Sequence, residues 1–305
     1  TDTVGLYFAE AADAGIGFNL CDTLRSTVNG NLPSPSTAFG EWTKYSGPGT
    51  VVFDDPSAAN TNFEVSVYGS YLLQWKITNG TSCYTTDTVR FNFGKGPELT
   101  VTGDTVCNGE TTFIEITSDV AGTDLILEVL YSGVIQGSST TLIGNTIQQT
   151  LTNPATKADS VVYRIAPTGP APTSCVGIPK TVTVWVEPAV TITAMDDTLC
   201  SGENTNIIVS SSNTTTNGMR YTWTVTDNPD ITGESGSVAP GQDMGTAIVQ
   251  NLTNTSPDAQ LVTYTITPWT VDAVGNNKCP GTPIDVNIWV EPAVTITAMD
   301  DTLCS

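Results

Sequence analysis

Histidine is absent from this chain of 305 residues, and with it any Ser–His–Asp or Cys–His arrangement for nucleophilic catalysis. There is no C-x-x-C pair either, so the seven cysteines lack a zinc-binding spacing. Basic residues are scarce: ten Lys and Arg stand against thirty-one Asp and Glu, giving a net charge of −21. Such a surface repels phosphate backbones and anionic lipid, which argues against nucleic acid as a partner. No run of eighteen apolar residues is present to form a transmembrane helix, and no signal peptide is visible. Charged residues of both signs make up only 13% of the chain, about half the usual share. Helical periodicity is missing too, and in the alanine-rich stretch AEAADAGIG (residues 9–17) the glycines favour a loop.

What remains is strand and turn chemistry, and repetition. Thr, Ser, Val, Ile, Gly, Asn and Pro dominate, which points to an all-β protein. The segment WVEPAVTITAMDDTLCS occupies residues 185–201 and again 289–305, an offset of 104 positions. TDTVGLYF at residues 1–8 matches TDTVRFNF at 86–93. The chain therefore reads as a piece of a tandem array. Residues 1–8 would be the closing strand of an upstream repeat, 9–96, 97–188 and 189–292 three repeats, and 293–305 the start of a further one. Rows of period two mark the core faces: Tyr71, Leu73, Trp75 and Ile77, then Leu125, Leu127, Val129 and Tyr131, then Tyr221, Trp223 and Val225. Turn-forming segments between such rows allow about seven strands per repeat, the count of a β-sandwich.

Cysteines recur in order within each repeat. One opens the repeat after a Thr/Asp-rich strand, and a second comes shortly before the last strand. The expected pairs are Cys21–Cys83, Cys107–Cys175 and Cys200–Cys279, one disulfide per domain, with Cys304 bonded to a residue beyond the chain. Disulfides place the protein in an oxidising, extracellular setting. Short junctions bearing proline, Glu187–Pro188 and its copy Glu291–Pro292, predict a semi-rigid extended array.

The motifs of the third repeat, DTLCSGENTNI, RYTWTV, TYTITP, CPGTP and VNIWVEP, resemble the PKD-like repeats of very large secreted proteins of Bacteroidota. The first repeat, with GEWTKYSGPGTVVF and YGSYLLQWKITNGTSC, resembles an immunoglobulin-like repeat of the same proteins. Together they are similar to the SprB-type gliding-motility adhesins. That resemblance implies tandem immunoglobulin-like β-sandwiches in a surface filament. It also implies export by type IX secretion, movement by the gliding machinery, and contact with an extracellular surface or polysaccharide. The alternative is a non-catalytic spacer or carbohydrate-binding region of a secreted polysaccharide-degrading enzyme. Asp-Thr/Ser-aliphatic triplets at Thr3, Thr23, Thr88, Thr105, Ser160, Thr198 and Thr302 resemble the O-glycosylation acceptor of Bacteroidota.

Other chemistry is thin. The carboxylate pair Asp54–Asp55 suggests glycosidase chemistry, but adjacent strand residues face opposite ways. No cofactor is expected, with calcium the one candidate metal. Glu187, Asp196 and Asp197 fall near a junction where two domains could share a hard cation. Trp269, in PWTVDAVGNNKC, reads as a loop residue capping the third disulfide or stacking on a sugar. Trp185 and Trp289 lie on the outer face of closing strands, just before the junction prolines. They are the expected inter-domain contacts, which would hold the second junction at a fixed angle and leave the first freer.

Overall fold

Alternation of apolar and polar side chains shapes every long strand in the computed structural model, which describes residues 10–80 and 83–298. The expected strand at 1–8, Thr3, Thr302 and Cys304 lie outside the described residues.

The first domain contains β1 (Asn19–Cys21), β2 (Arg25–Asn29), β3 (Phe39–Ser46), β4 (Val51–Phe53), β5 (Asn60–Val65), β6 (Gly69–Asn79) and β7 (Cys83–Gly94). One sheet has the order β1-β7-β6-β3 and the other β2-β5-β4. Tyr71, Leu73, Trp75 and Ile77 of β6 are fully buried between them, with Phe91 and Phe93 of β7 and Phe63 of β5. Trp42 and Trp75 pack at 4.9 Å between ring centroids. Gly40 is what lets them do so, because a Cβ there would lie 2.1 Å from the Trp75 ring.

In the second domain the strands are β8 (Leu99–Thr100), β9 (Asp104–Val106), β10 (Ile114–Glu115), β11 (Thr117–Ser118), β12 (Asp124–Tyr131), β13 (Thr146–Ile147), β14 (Asp159–Thr168) and β15 (Lys180–Val186). The third has β16 (Asp197–Cys200), β17 (Ile207–Ile208), β18 (Met219–Val225), β19 (Ile231–Thr232), β20 (Gln242–Asp243), β21 (Ala247–Ile248), β22 (Thr253–Asn254), β23 (Gln260–Val271), β24 (Asn277–Pro280) and β25 (Ile284–Glu291). Their main sheets run β12-β14-β15-β9 and β16-β25-β23-β18-β20, with short two-stranded pairs across each core.

These two domains match almost side chain for side chain. Tyr163 donates to Gln149 Oε1 at 2.7 Å, as Tyr264 does to Gln250 Oε1 at 2.7 Å. Burial pushes the Tyr163 phenol up to about 12. Asn153 Nδ2 donates to the carbonyls of Lys157 and Val186, and Asn254 Nδ2 to those of Asp258 and Val290. Three separate apolar clusters result, one per domain, so the all-β tandem immunoglobulin-like architecture holds.

One expected row is only partly core, and one tryptophan lies elsewhere than expected. On β12, Leu127 is buried but Tyr131 is 51% exposed, because a bulge after Val129 sets Tyr131 opposite Val162 and off the core face. Trp269 is not in a loop: it lies in β23 opposite Arg220, and its indole donates to Thr222 Oγ1 at 3.0 Å.

Candidate functional site at the domain junctions

The expected disulfides are overturned. Cys21 bonds Cys175 and Cys107 bonds Cys279, so each bridge joins one domain to the next, and Cys83 and Cys200 are unbonded and exposed. Strand direction explains why. The opening strand of each domain runs parallel to its closing strand: β1 with β7, β9 with β15, β16 with β25. Both strands therefore reach the same pole, and the first cysteine ends there, Cys21 opposite Gly94 and Cys200 opposite Glu291. The second cysteine comes before or at the start of the closing strand, at the other pole. A closing strand of 7 residues, β15, holds these poles about 23 Å apart, far beyond the roughly 7 Å a disulfide can span. Between consecutive domains the two cysteines meet, with Cα–Cα distances of 5.5 Å in both bridges.

At the first junction the chain approaches itself closely. Gly94 lies under the Cys21–Cys175 bridge, where a Cβ would come within 2.2 Å of Thr173 Oγ1 and 2.7 Å of Cys175 Sγ. Asn19 Nδ2 donates to the Pro172 carbonyl at 2.8 Å, and the Gly96 amide donates to Asp22 Oδ1 at 2.8 Å. Lys95 pairs with Asp119; that ion pair holds the Asp119 carboxyl below its usual range and the Lys95 ammonium above it.

More polar contacts surround the second bridge. Glu187, 1% exposed, accepts hydrogen bonds from the amide and hydroxyl of Thr216 in the next domain. The segment beside it makes a small backbone ladder: the Ala158 amide donates to the Thr214 carbonyl at 2.8 Å, and the Thr214 amide to the Thr156 carbonyl at 2.9 Å. Asn213 Nδ2 donates to the Thr156 and Ala189 carbonyls, and Lys278 donates to the Thr105 carbonyl while facing Asp104 at 3.9 Å.

The calcium candidates do not converge. Glu187 is committed to Thr216, Asp196 accepts the Asn287 amide at 2.8 Å, and Asp197 accepts the Thr198 amide at 2.8 Å. Among the described residues no cluster of three or more His, Cys, Asp or Glu is placed to hold a metal. Asp54 pairs with Arg25 at 2.6 Å, and Asp55 is held below the usual carboxylate range by the Ser57 hydroxyl and amide.

Trp185 lines a groove of about 450 Å³ with Asp104, Thr105, Val274 and Lys278 at the second junction. It is nonetheless 43% exposed, against 46% for Trp289, which has no described domain beside it. The buried contact across this junction is that of Glu187, beside the bridge. Of the candidate modification residues, Thr88 and Thr198 are exposed, Thr23 and Thr105 half-buried, and Ser160, 8% exposed, is too buried for a glycan. Sequence reasoning missed Gly94, Asn213, Thr216 and Lys278. The cysteine pairing depends on the parallel pairing of opening and closing strands, which the structure supplies.

A family model described as "PKD-like domain" matches residues 104–190 and 197–294, together more than half of the chain. No protein of curated function matches. Solved structures similar to the chain include three consecutive immunoglobulin domains of a titin variant, at 9% identity over 95% of this chain and 100% of that one, TM-score 0.46. The first eight immunoglobulin domains of the Down syndrome cell adhesion molecule match at 10% identity over 94% of this chain and 37% of that one, TM-score 0.45. Three extracellular domains of mouse cadherin-23 match at 12% identity over 92% of this chain and 94% of that one, TM-score 0.35.

Proposed function

The chain belongs to the PKD-like domain family, and from that premise we propose that it is the structural and adhesive repeat region of a large secreted cell-surface protein. One observation carries the reading: the two disulfides tie successive domains to each other. A binding or catalytic module needs its own fold stabilised, whereas bonds between modules serve an array that must keep its length and direction under tension. The low basic content, net charge of −21 and absence of histidine fit a solvated surface filament better than a catalyst. In the gliding form of this proposal, the filament is exported by type IX secretion, carried along the cell by the gliding machinery, and gripped by a surface or polysaccharide.

Live, unpermeabilised cells that express the whole protein, labelled with an antibody raised against this chain, test the reading. Surface foci that travel along the cell and follow it during attachment are the expected result. Labelling only after permeabilisation would overturn the surface assignment, and stationary foci would overturn the gliding part. Binding of the purified chain to a glycan array, without adhesion of the cells, would favour the carbohydrate-binding alternative.

A further inference from the structure

The two bridges share one register, and Cys83 and Cys200 occupy the positions that would continue it. Cys200 ends β16 opposite Glu291 of the closing strand, as Cys21 ends β1 opposite Gly94. Its amide donates to Glu203 Oε2 at 2.8 Å, as the Cys107 amide donates to Glu110 Oε2 at 2.8 Å, so the same C-x-G-E turn presents both sulfurs. Cys83 starts the closing strand β7, on the pole where Cys175 and Cys279 are bonded in their own domains.

We propose that Cys200 and Cys83 are inter-domain linking thiols. Cys200 takes the second cysteine of a further PKD-like domain, and Cys83 takes the first cysteine of a domain stacked on the opposite pole. Formation of each bond removes two protons and two electrons from a pair of thiols. A disulfide oxidant accepts them: one thiolate displaces half of the oxidant, and the second thiolate displaces the other half. This inference stands on the bridge register and holds whether or not the array is adhesive.

Such a ladder has a mechanical consequence. Tension reaching Cys21 crosses to Cys175, follows about 25 residues to Cys200, and crosses again; that path holds the closing strand β15 and the opening strand β16, and the rest of each domain lies outside it. Fully extended, about 25 residues span roughly 85 Å. The closing strands of the second and third domains, with 7 and 8 residues, set the poles joined by that path roughly 50 Å apart in all. Unfolding would therefore add at most roughly 35 Å while the bridges stand, against the roughly 300 Å that about 90 unbridged residues could release.

The test continues the chain after Ser305 with a second copy of residues 202–292, which is in phase because 293–305 repeat 189–201. Cys304→Ser leaves the copy one cysteine. After equilibration in glutathione and glutathione disulfide, non-reducing tryptic mapping should join the peptide of Cys200 to the C-terminal peptide of the copy. Cys200 should pass from alkylated in the 305-residue chain to protected in the extended one. In the same sample the Cys107–Cys279 bridge reports that the register has formed. A Cys200 that stays alkylated, or that bonds Cys279, overturns the proposal, and so does a missing Cys107–Cys279 bridge. With Cys200→Ser, the cysteine of the copy should become alkylated; its capture of Cys83 instead would show non-specific pairing and count against the proposal.

Discussion

At the first junction a disulfide sits over glycine backbone, with Gly94 and Gly96 beneath it and three polar contacts around it; at the second, an equivalent disulfide is flanked by a buried carboxylate and a backbone ladder. The second junction would keep directional contacts if its bridge were removed: Glu187 to Thr216, Ala158 and Thr156 to Thr214, Lys278 to Thr105. The first would keep mainly exposed ones, which contribute little. The same staple thus serves two designs, one in which it adds to an interface and one in which it largely replaces it.

Reduction should separate the two designs most clearly. The bridges close loops of 154 and 172 residues, for which the chain-entropy model gives about 5 kcal/mol each, an upper figure because the loops overlap and native strain subtracts. Under reductant, small-angle scattering should show the first domain swinging free while the second and third keep most of their relative orientation. Equal opening at both junctions would break the comparison.

A narrower probe is Gly94→Ala. Its methyl would meet Thr173 Oγ1 and Cys175 Sγ at 2.2 and 2.7 Å, and displacing them should cost about 1–3 kcal/mol. The Cys21–Cys175 bridge should then be reduced several-fold faster, with Cys107–Cys279 unchanged. Unaltered reduction kinetics at both bridges would show that the first junction has room to adjust.

At the second junction the corresponding probe is Glu187→Ala. It removes the buried acceptor of the Thr216 amide and hydroxyl, a charge-assisted pair whose loss should cost about 1–3 kcal/mol. Hydrogen exchange should rise in residues 213–217 and stay unchanged around residues 172–176. Protection retained at Thr216 would mean that the ladder through Thr214 holds the interface alone.

Much of the fold was legible because period-two rows state which face is buried, and Tyr71 to Ile77 and Val182 to Val186 behave as the alternation requires. The cysteine pairing was not, since order along the chain says nothing about which pole a residue reaches. Two cysteines that open and close one repeat look adjacent until the parallel pairing of β9 with β15 carries them to opposite ends. Glu187 was legible as a junction residue but its partner was not, because Thr216 is 29 positions away on a loop with no pattern of its own.

The smallest expected effect concerns the tryptophans. Trp185 pairs across the sheet with Ser160 and Thr105, and Trp289 with Leu261 and Thr198, so each is sheltered by its own domain. Their exposures are close, 43% and 46%. Trp185→Ala and Trp289→Ala should therefore destabilise their domains equally, within about 0.5 kcal/mol, and neither should change the angle between the second and third domains. The comparison is made in thermal melts with both bridges intact, alongside scattering. A penalty at Trp185 larger by more than about 1 kcal/mol, or an opened second junction, would return the anchor role to the tryptophan and reduce Glu187 to a bystander.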